Sequence, residues 1–79
     1  MIKLYTTKYC PFCYKVIYAF KKMDLKADEN YSIVDAVIKR DELVYLGGKM
    51  QVPFMIDGET KMYESDDIIT HAEKKFKKN

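Results

Sequence analysis

Cys10-Pro11-Phe12-Cys13 stands where a short apolar run ends and a helical pattern begins, and it holds the only two cysteines of the chain. Proline is favoured at a first helical position, because the N–H it lacks would be unpaired there anyway. Pro11 therefore starts a helix, which makes Cys10 its N-cap and puts Cys13 at the end of the first turn. Unpaired N–H groups and the positive end of the helix dipole stabilise a thiolate over a thiol, so Cys10 is expected as an exposed, activated sulfur. Cys13 heads the series Cys13, Val16, Ile17 and Phe20, whose i, i+3, i+4, i+7 spacing shares one helix face. It is expected to be recessed in the buried stripe. An activated thiol with a recessed partner in disulfide reach suits dithiol–disulfide exchange.

Other uses of the pair fit less well. A closed zinc site needs four ligands, and beyond these two cysteines the chain offers one histidine, His71. A structural bridge over two intervening residues closes so small a loop that it removes little unfolded-state entropy. A Cys-x-x-Cys between a strand and a helix in a chain of 79 residues reads as redox chemistry. A mixed surface with a formal charge of +2 suits a small anionic ligand better than nucleic acid, which calls for a denser basic stripe. No apolar run approaches the ~20 residues of a membrane span, and Met1-Ile2-Lys3-Leu4 lacks a signal-peptide layout. A cytoplasmic setting is expected, where cysteines spared from structural bridges fit a catalytic pair.

Ile2 to Thr6, rich in β-branched and aromatic residues, reads as a first, interior strand. A helix from Pro11 to Met23 follows, with Lys15, Lys21 and Lys22 on its wet face. After a polar connection, Tyr31 to Val34 reads as a second strand and Asp35 as the cap of a helix from Ala36 to Leu46, stopped by Gly47-Gly48. Val52 to Ile56 and Glu59 to Tyr63 flank Asp57-Gly58 as an antiparallel hairpin. Ser65-Asp66-Asp67 opens a last helix carrying Ile68, Ile69, Ala72 and Phe76, with Lys74, Lys75, Lys77 and Lys78 at its end. His71 reads as a surface or partly packed residue of that helix, Lys49 as a surface lysine, and the five methionines as gap fillers of the core. The order β-α-β-α-β-β-α implies an α/β fold with a four-stranded mixed sheet and three helices, residues 1–79 forming one domain.

The chain resembles a glutaredoxin along essentially its whole length. The residues that carry the likeness are Cys10-Pro11-Phe12-Cys13 after the first strand, Val52-Pro53 before the hairpin, and Glu64-Ser65-Asp66-Asp67 at the last helix. Phe12 stands where that family usually has tyrosine. Glu64-Ser65 is also similar to the corresponding stretch of glutathione S-transferase amino-terminal domains, which share the thioredoxin-like fold. The resemblance implies a cis Pro53 facing the cysteines and Val52 backbone groups that pair with bound glutathione. It also implies that the N–H groups of Ser65 and Asp66 take its γ-glutamyl carboxylate. Arg40 and Lys8 are candidate cations for its glycine carboxylate, although the family lysine three residues before the first cysteine is replaced here by Thr7.

A glutathione-dependent thiol–disulfide oxidoreductase is therefore expected, with Cys10 as nucleophile, Cys13 as resolving thiol, and Lys8, Phe12, Arg40, Val52, Pro53, Ser65 and Asp66 around the ligand. Glutathione is the reducing co-substrate and no metal is required. The expected partners are disulfide-bearing or glutathionylated proteins, with ribonucleotide reductase one candidate, and the chain is expected as a monomer that uses neither nucleic acid nor membrane. Two alternatives stay open: a thioredoxin-like reductant served by a reductase without glutathione, and a dimer holding a glutathione-ligated [2Fe–2S] cluster.

Overall fold

The computed structural model describes residues 1–76. Seven elements follow in the order β1 (Ile2–Thr6), α1 (Pro11–Lys22), β2 (Tyr31–Asp35), α2 (Arg40–Gly47), β3 (Phe54–Asp57), β4 (Thr60–Met62) and α3 (Ser65–Lys75). This is the thioredoxin-like arrangement the sequence implied. The sheet order is β2-β1-β3-β4, with β1 parallel to β2 and the other two pairings antiparallel. Lys77 and Lys78, expected to close the last helix, lie outside the described residues.

β1 is interior because both of its faces are apolar. Successive side chains of a strand point to opposite faces. Ile2 and Leu4 join Met55 of β3 under α1 and α3, with Val16, Phe20, Ile68 and Ala72 completing that core. Tyr5 turns the other way and packs with Phe54, Ala36 and Leu43 under α2. The stripe read from α1 is real: Cys13, Val16 and Phe20 are fully covered and Ile17 partly so. Phe20 meets Tyr31 edge to face, with ring centroids 4.8 Å apart. Of the methionines, Met55 is buried and Met23 and Met62 pack against the same core. Met1 and Met50 are exposed, so the gap-filling role does not extend to them.

Several boundaries differ from expectation for local reasons. β2 runs on through Asp35, whose Oδ1 accepts the N–H groups of Val37 at 2.9 Å and Ile38 at 3.3 Å. These bonds hold residues 36–39 as turns, so α2 begins at Arg40 rather than Ala36. It ends where Gly48 takes the left-handed conformation at φ 91°, as the glycine pair led one to expect. β3 starts at Phe54, not Val52, because Pro53 has no N–H to give a ladder. β4 is correspondingly short. His71 is half-buried and its Nε2 lies 2.8 Å from Oδ2 of Asp57, to which Lys75 Nζ also donates at 2.8 Å. This cluster ties the hairpin turn to α3. Among the described residues no helix is long and apolar enough to cross a membrane.

Candidate active site

Cys10 caps α1 with extended backbone angles, φ −118° and ψ 103°, and Pro11 is the first helical residue. The Sγ of Cys10 accepts the N–H of Cys13 at 3.1 Å, and the N–H of Tyr14 donates to the Cys10 carbonyl at 3.1 Å. The bond from the Cys13 N–H is the side-chain cap of α1. The same bond folds the side chain back over the first turn, so only 8% of Cys10 stays exposed. This corrects the expectation of an exposed sulfur: N-cap geometry tucks it in. Tyr9 and Phe12, on either side, are open to solvent.

Cys13 is buried on the inner face of α1, and both cysteines are free thiols. Burial pushes the Cys13 thiol up to about 12, its hydrogen bond with Cys10 adds to the rise, and a bond from the Thr7 backbone opposes it. Cys13 is therefore a protonated thiol near neutral pH.

A cleft of about 250 Å³ opens beside this motif. Phe12 and Lys15 of α1 form one wall, Gln51, Val52 and Pro53 the second, and Tyr63, Glu64, Ser65 and Asp66 the third. The Val52–Pro53 bond is cis. The backbone groups of Val52 lie outside the ladder, whose first paired residue on β3 is Phe54. The N-cap of α3 is Glu64, whose side chain makes no capping bond, and the first helical hydrogen bond runs from the Ile68 N–H to the Glu64 carbonyl at 2.9 Å. The N–H groups of Ser65, Asp66 and Asp67 precede that bond, and such a helix start is a ready anion site. Tyr63 is braced by donating to the Lys49 carbonyl at 2.9 Å and by stacking on Phe54, with centroids 4.6 Å apart.

The structure thus gathers Phe12, Val52, Pro53, Ser65 and Asp66 into one cleft, whose lining includes neither cysteine; Cys13 instead lines a neighbouring hollow with Thr7 and Lys8. It does not place Lys8 or Arg40 among the lining residues. Lys8 sits with Thr7, Tyr9, Asp35 and Val37 on another side of the cysteine motif, and Arg40 opens α2. The cation that does line the cleft is Lys15, with Nζ 2.6 Å from Oδ1 of Asp66. Sequence reading put Lys15 on the wet face of α1, which is true of its side chain but hides this partner. No local pattern marks the pair, because its members stand 51 residues apart on two helices. A larger depression of about 640 Å³ lies elsewhere, between Lys22, Met23 and Asp24 and the end of α3, away from the cysteine motif and from any helix start. Size alone does not mark the chemistry here.

The family profile described as "Glutathione S-transferase, N-terminal domain" matches residues 4–79. No curated protein sequence matches the chain. Among solved structures, a glutathione S-transferase from the Antarctic clam Laternula elliptica is 26% identical with a TM-score of 0.76, over 98% of this chain and 36% of that one. A Bombyx mori glutathione transferase is 22% identical with a TM-score of 0.79, over 99% of this chain and 37% of that one. A glutathione transferase homologue from Drosophila mojavensis, solved with bound glutathione, is 23% identical with a TM-score of 0.77, over 99% of this chain and 36% of that one. The chain spans little more than a third of the length of these structures. The profile shows the glutathione S-transferase N-terminal domain family and does not confirm the narrower glutaredoxin likeness carried by Cys10-Pro11-Phe12-Cys13.

Proposed function

Because the chain belongs to the glutathione S-transferase N-terminal domain family, we propose that it binds glutathione in the Val52–Ser65 cleft and uses Cys10 for glutathione-dependent thiol–disulfide exchange. The observation that carries this reading is the Cys13 N–H directed at Cys10 Sγ, two residues before the Phe12 that lines the cleft. Val52 offers its backbone N–H and C=O to the cysteine moiety of glutathione as an added strand would. The start of α3 takes the γ-glutamyl carboxylate, and the uncapped carboxylate of Glu64 suits the ammonium beside it. Arg40 and Lys8 start outside the cleft and would meet the glycine carboxylate only by reaching in with long side chains.

The Cys10 thiolate attacks the glutathionyl sulfur of a mixed disulfide. A new S–S bond forms, the old one breaks, and the target protein leaves as a thiolate carrying the electron pair. A second glutathione, as thiolate, then attacks the glutathionyl sulfur, releasing oxidised glutathione and restoring Cys10. The proton needed by the target comes from solvent or from the incoming thiol. For protein disulfides Cys13 must give up its proton before it can attack the Cys10 sulfur. Its elevated pKa makes that the slower use of the site.

The family assignment favours one other reading, in which glutathione's own thiol is conjugated to an electrophile. Turnover of a small glutathione mixed disulfide, coupled to glutathione reductase and NADPH, separates the two when run beside conjugation to an aromatic halide. Disulfide turnover is expected, abolished in Cys10→Ser and largely kept in Cys13→Ser. Conjugation without disulfide turnover would make the site a transferase half-site, and reduction only with thioredoxin reductase would remove glutathione from the account.

A further inference from the structure

We infer, on the basis of the glutathione-binding reading above, that Lys15 is a positioning residue for the ligand: it holds the Asp66 carboxylate so that the start of α3 can accept an anion. The first turn of α3 carries Asp66 and Asp67 behind the N-cap Glu64. Such acids suit the helix dipole, but they oppose an anionic ligand that seeks the same N–H groups. Of the charged residues that line the cleft, Glu64 and Asp66 are acids and Lys15 is the cation. Its Nζ reaches from α1 to Oδ1 of Asp66 at 2.6 Å, bridging residues 51 apart in sequence.

The two side chains are 50% and 80% exposed, and an ion pair so open to water adds little to folding. Its consequence is local. Without Lys15 the cleft keeps two carboxylates and no counter-charge, and Asp66 is free to swing over the helix start. Lys15 also lies two residues after Cys13, so the pair links the helix that carries both sulfurs to the helix start that takes the ligand carboxylate.

The test is calorimetric titration of the whole chain with reduced glutathione, for wild type, Lys15→Gln, Lys15→Arg and Lys15→Gln combined with Asp66→Asn. Lys15→Gln should weaken binding about five- to tenfold at low salt, the gap narrowing as salt screens the cleft. Lys15→Arg should restore binding, and adding Asp66→Asn to Lys15→Gln should recover part of the loss. In turnover, KM for glutathione should rise with kcat unchanged, a split that general loosening of the fold would not give. Equal affinity of wild type and Lys15→Gln overturns this inference alone. Failure of the wild type to bind glutathione overturns the functional reading and this inference with it.

Discussion

Cys10 and Cys13 are three residues apart, one capping α1 and the other on its buried face. Burial is the larger cause of the rise at Cys13, ahead of its contact with Cys10. The linkage to stability follows from the direction of that shift. The unfolded thiol ionises near its ordinary value of 9.0 and the folded one near about 12, so the folded state holds its proton through that interval. The contribution is complete below the lower value and is lost as pH rises toward the upper one. Urea unfolding of wild type across this alkaline range should show a decline that is shallower in Cys13→Ser; equal slopes would show that Cys13 is not buried as described. The recessed state of Cys13 was legible in its place on the Val16 and Phe20 stripe. That of Cys10 was not, because an N-cap signature reveals that a side chain turns to the helix but not how far the turn covers it.

At the scale of elements, two contacts hold the walls of the cleft. A side chain on Gly47, the last residue of α2, would overlap the hydroxyl end and ring of Tyr63 and press on Phe54. Tyr63 is already committed to Lys49 and Phe54, and it lines the cleft. Gly47→Ala should therefore cost about 1–3 kcal/mol in urea unfolding and weaken glutathione binding as well. Loss of stability with unchanged binding would detach Tyr63 from the site.

The other contact is at Asp57, where hydrogen bonds from Lys75 and then His71 hold the carboxyl below its usual range despite the opposing effect of burial. A depressed carboxylate stabilises the fold above its unfolded value, and that contribution fades as pH falls through the lower, folded one. Asp57→Asn should lose about 1–3 kcal/mol near neutral pH, and its unfolding free energy should converge on that of wild type in acid. A constant gap at all pH values would contradict this. The helix of His71 was evident from its periodicity, whereas its tie to Asp57 joins turn and helix across the fold, and no local pattern announces such a pair. Likewise Asp35 reads in sequence as the N-cap of a helix from Ala36, whereas its bonds to the Val37 and Ile38 N–H groups close a turn and the helix waits until Arg40, with Lys39 at its N-cap.

At the scale of the molecule, β1 divides two cores, one under α1 and α3 and one under α2. A chain this short has little stability in reserve, ~5–15 kcal/mol for domains in general. Phe20 is fully buried in the larger core against Tyr31, and Phe20→Ala should cost about 3–5 kcal/mol. Such a variant should melt far below the wild type, and a small shift would mean that the α1 face is not packed as described. The order of elements was readable because strand, cap and turn signals placed all seven, even where the starts of α2 and β3 lay a few residues off. Lys15 and Asp66 were not readable as a pair, since their meeting depends on how α1 and α3 come together on the sheet.

If Cys10 is the sulfur that carries glutathione, intact-mass measurement after exposure of wild type, Cys10→Ser and Cys13→Ser to oxidised glutathione should show it. One glutathionyl group is expected on Cys13→Ser, located at Cys10, and none on Cys10→Ser. A glutathionyl group at Cys13 of Cys10→Ser, with Cys13→Ser unmodified, would contradict it and reverse the roles of the two sulfurs.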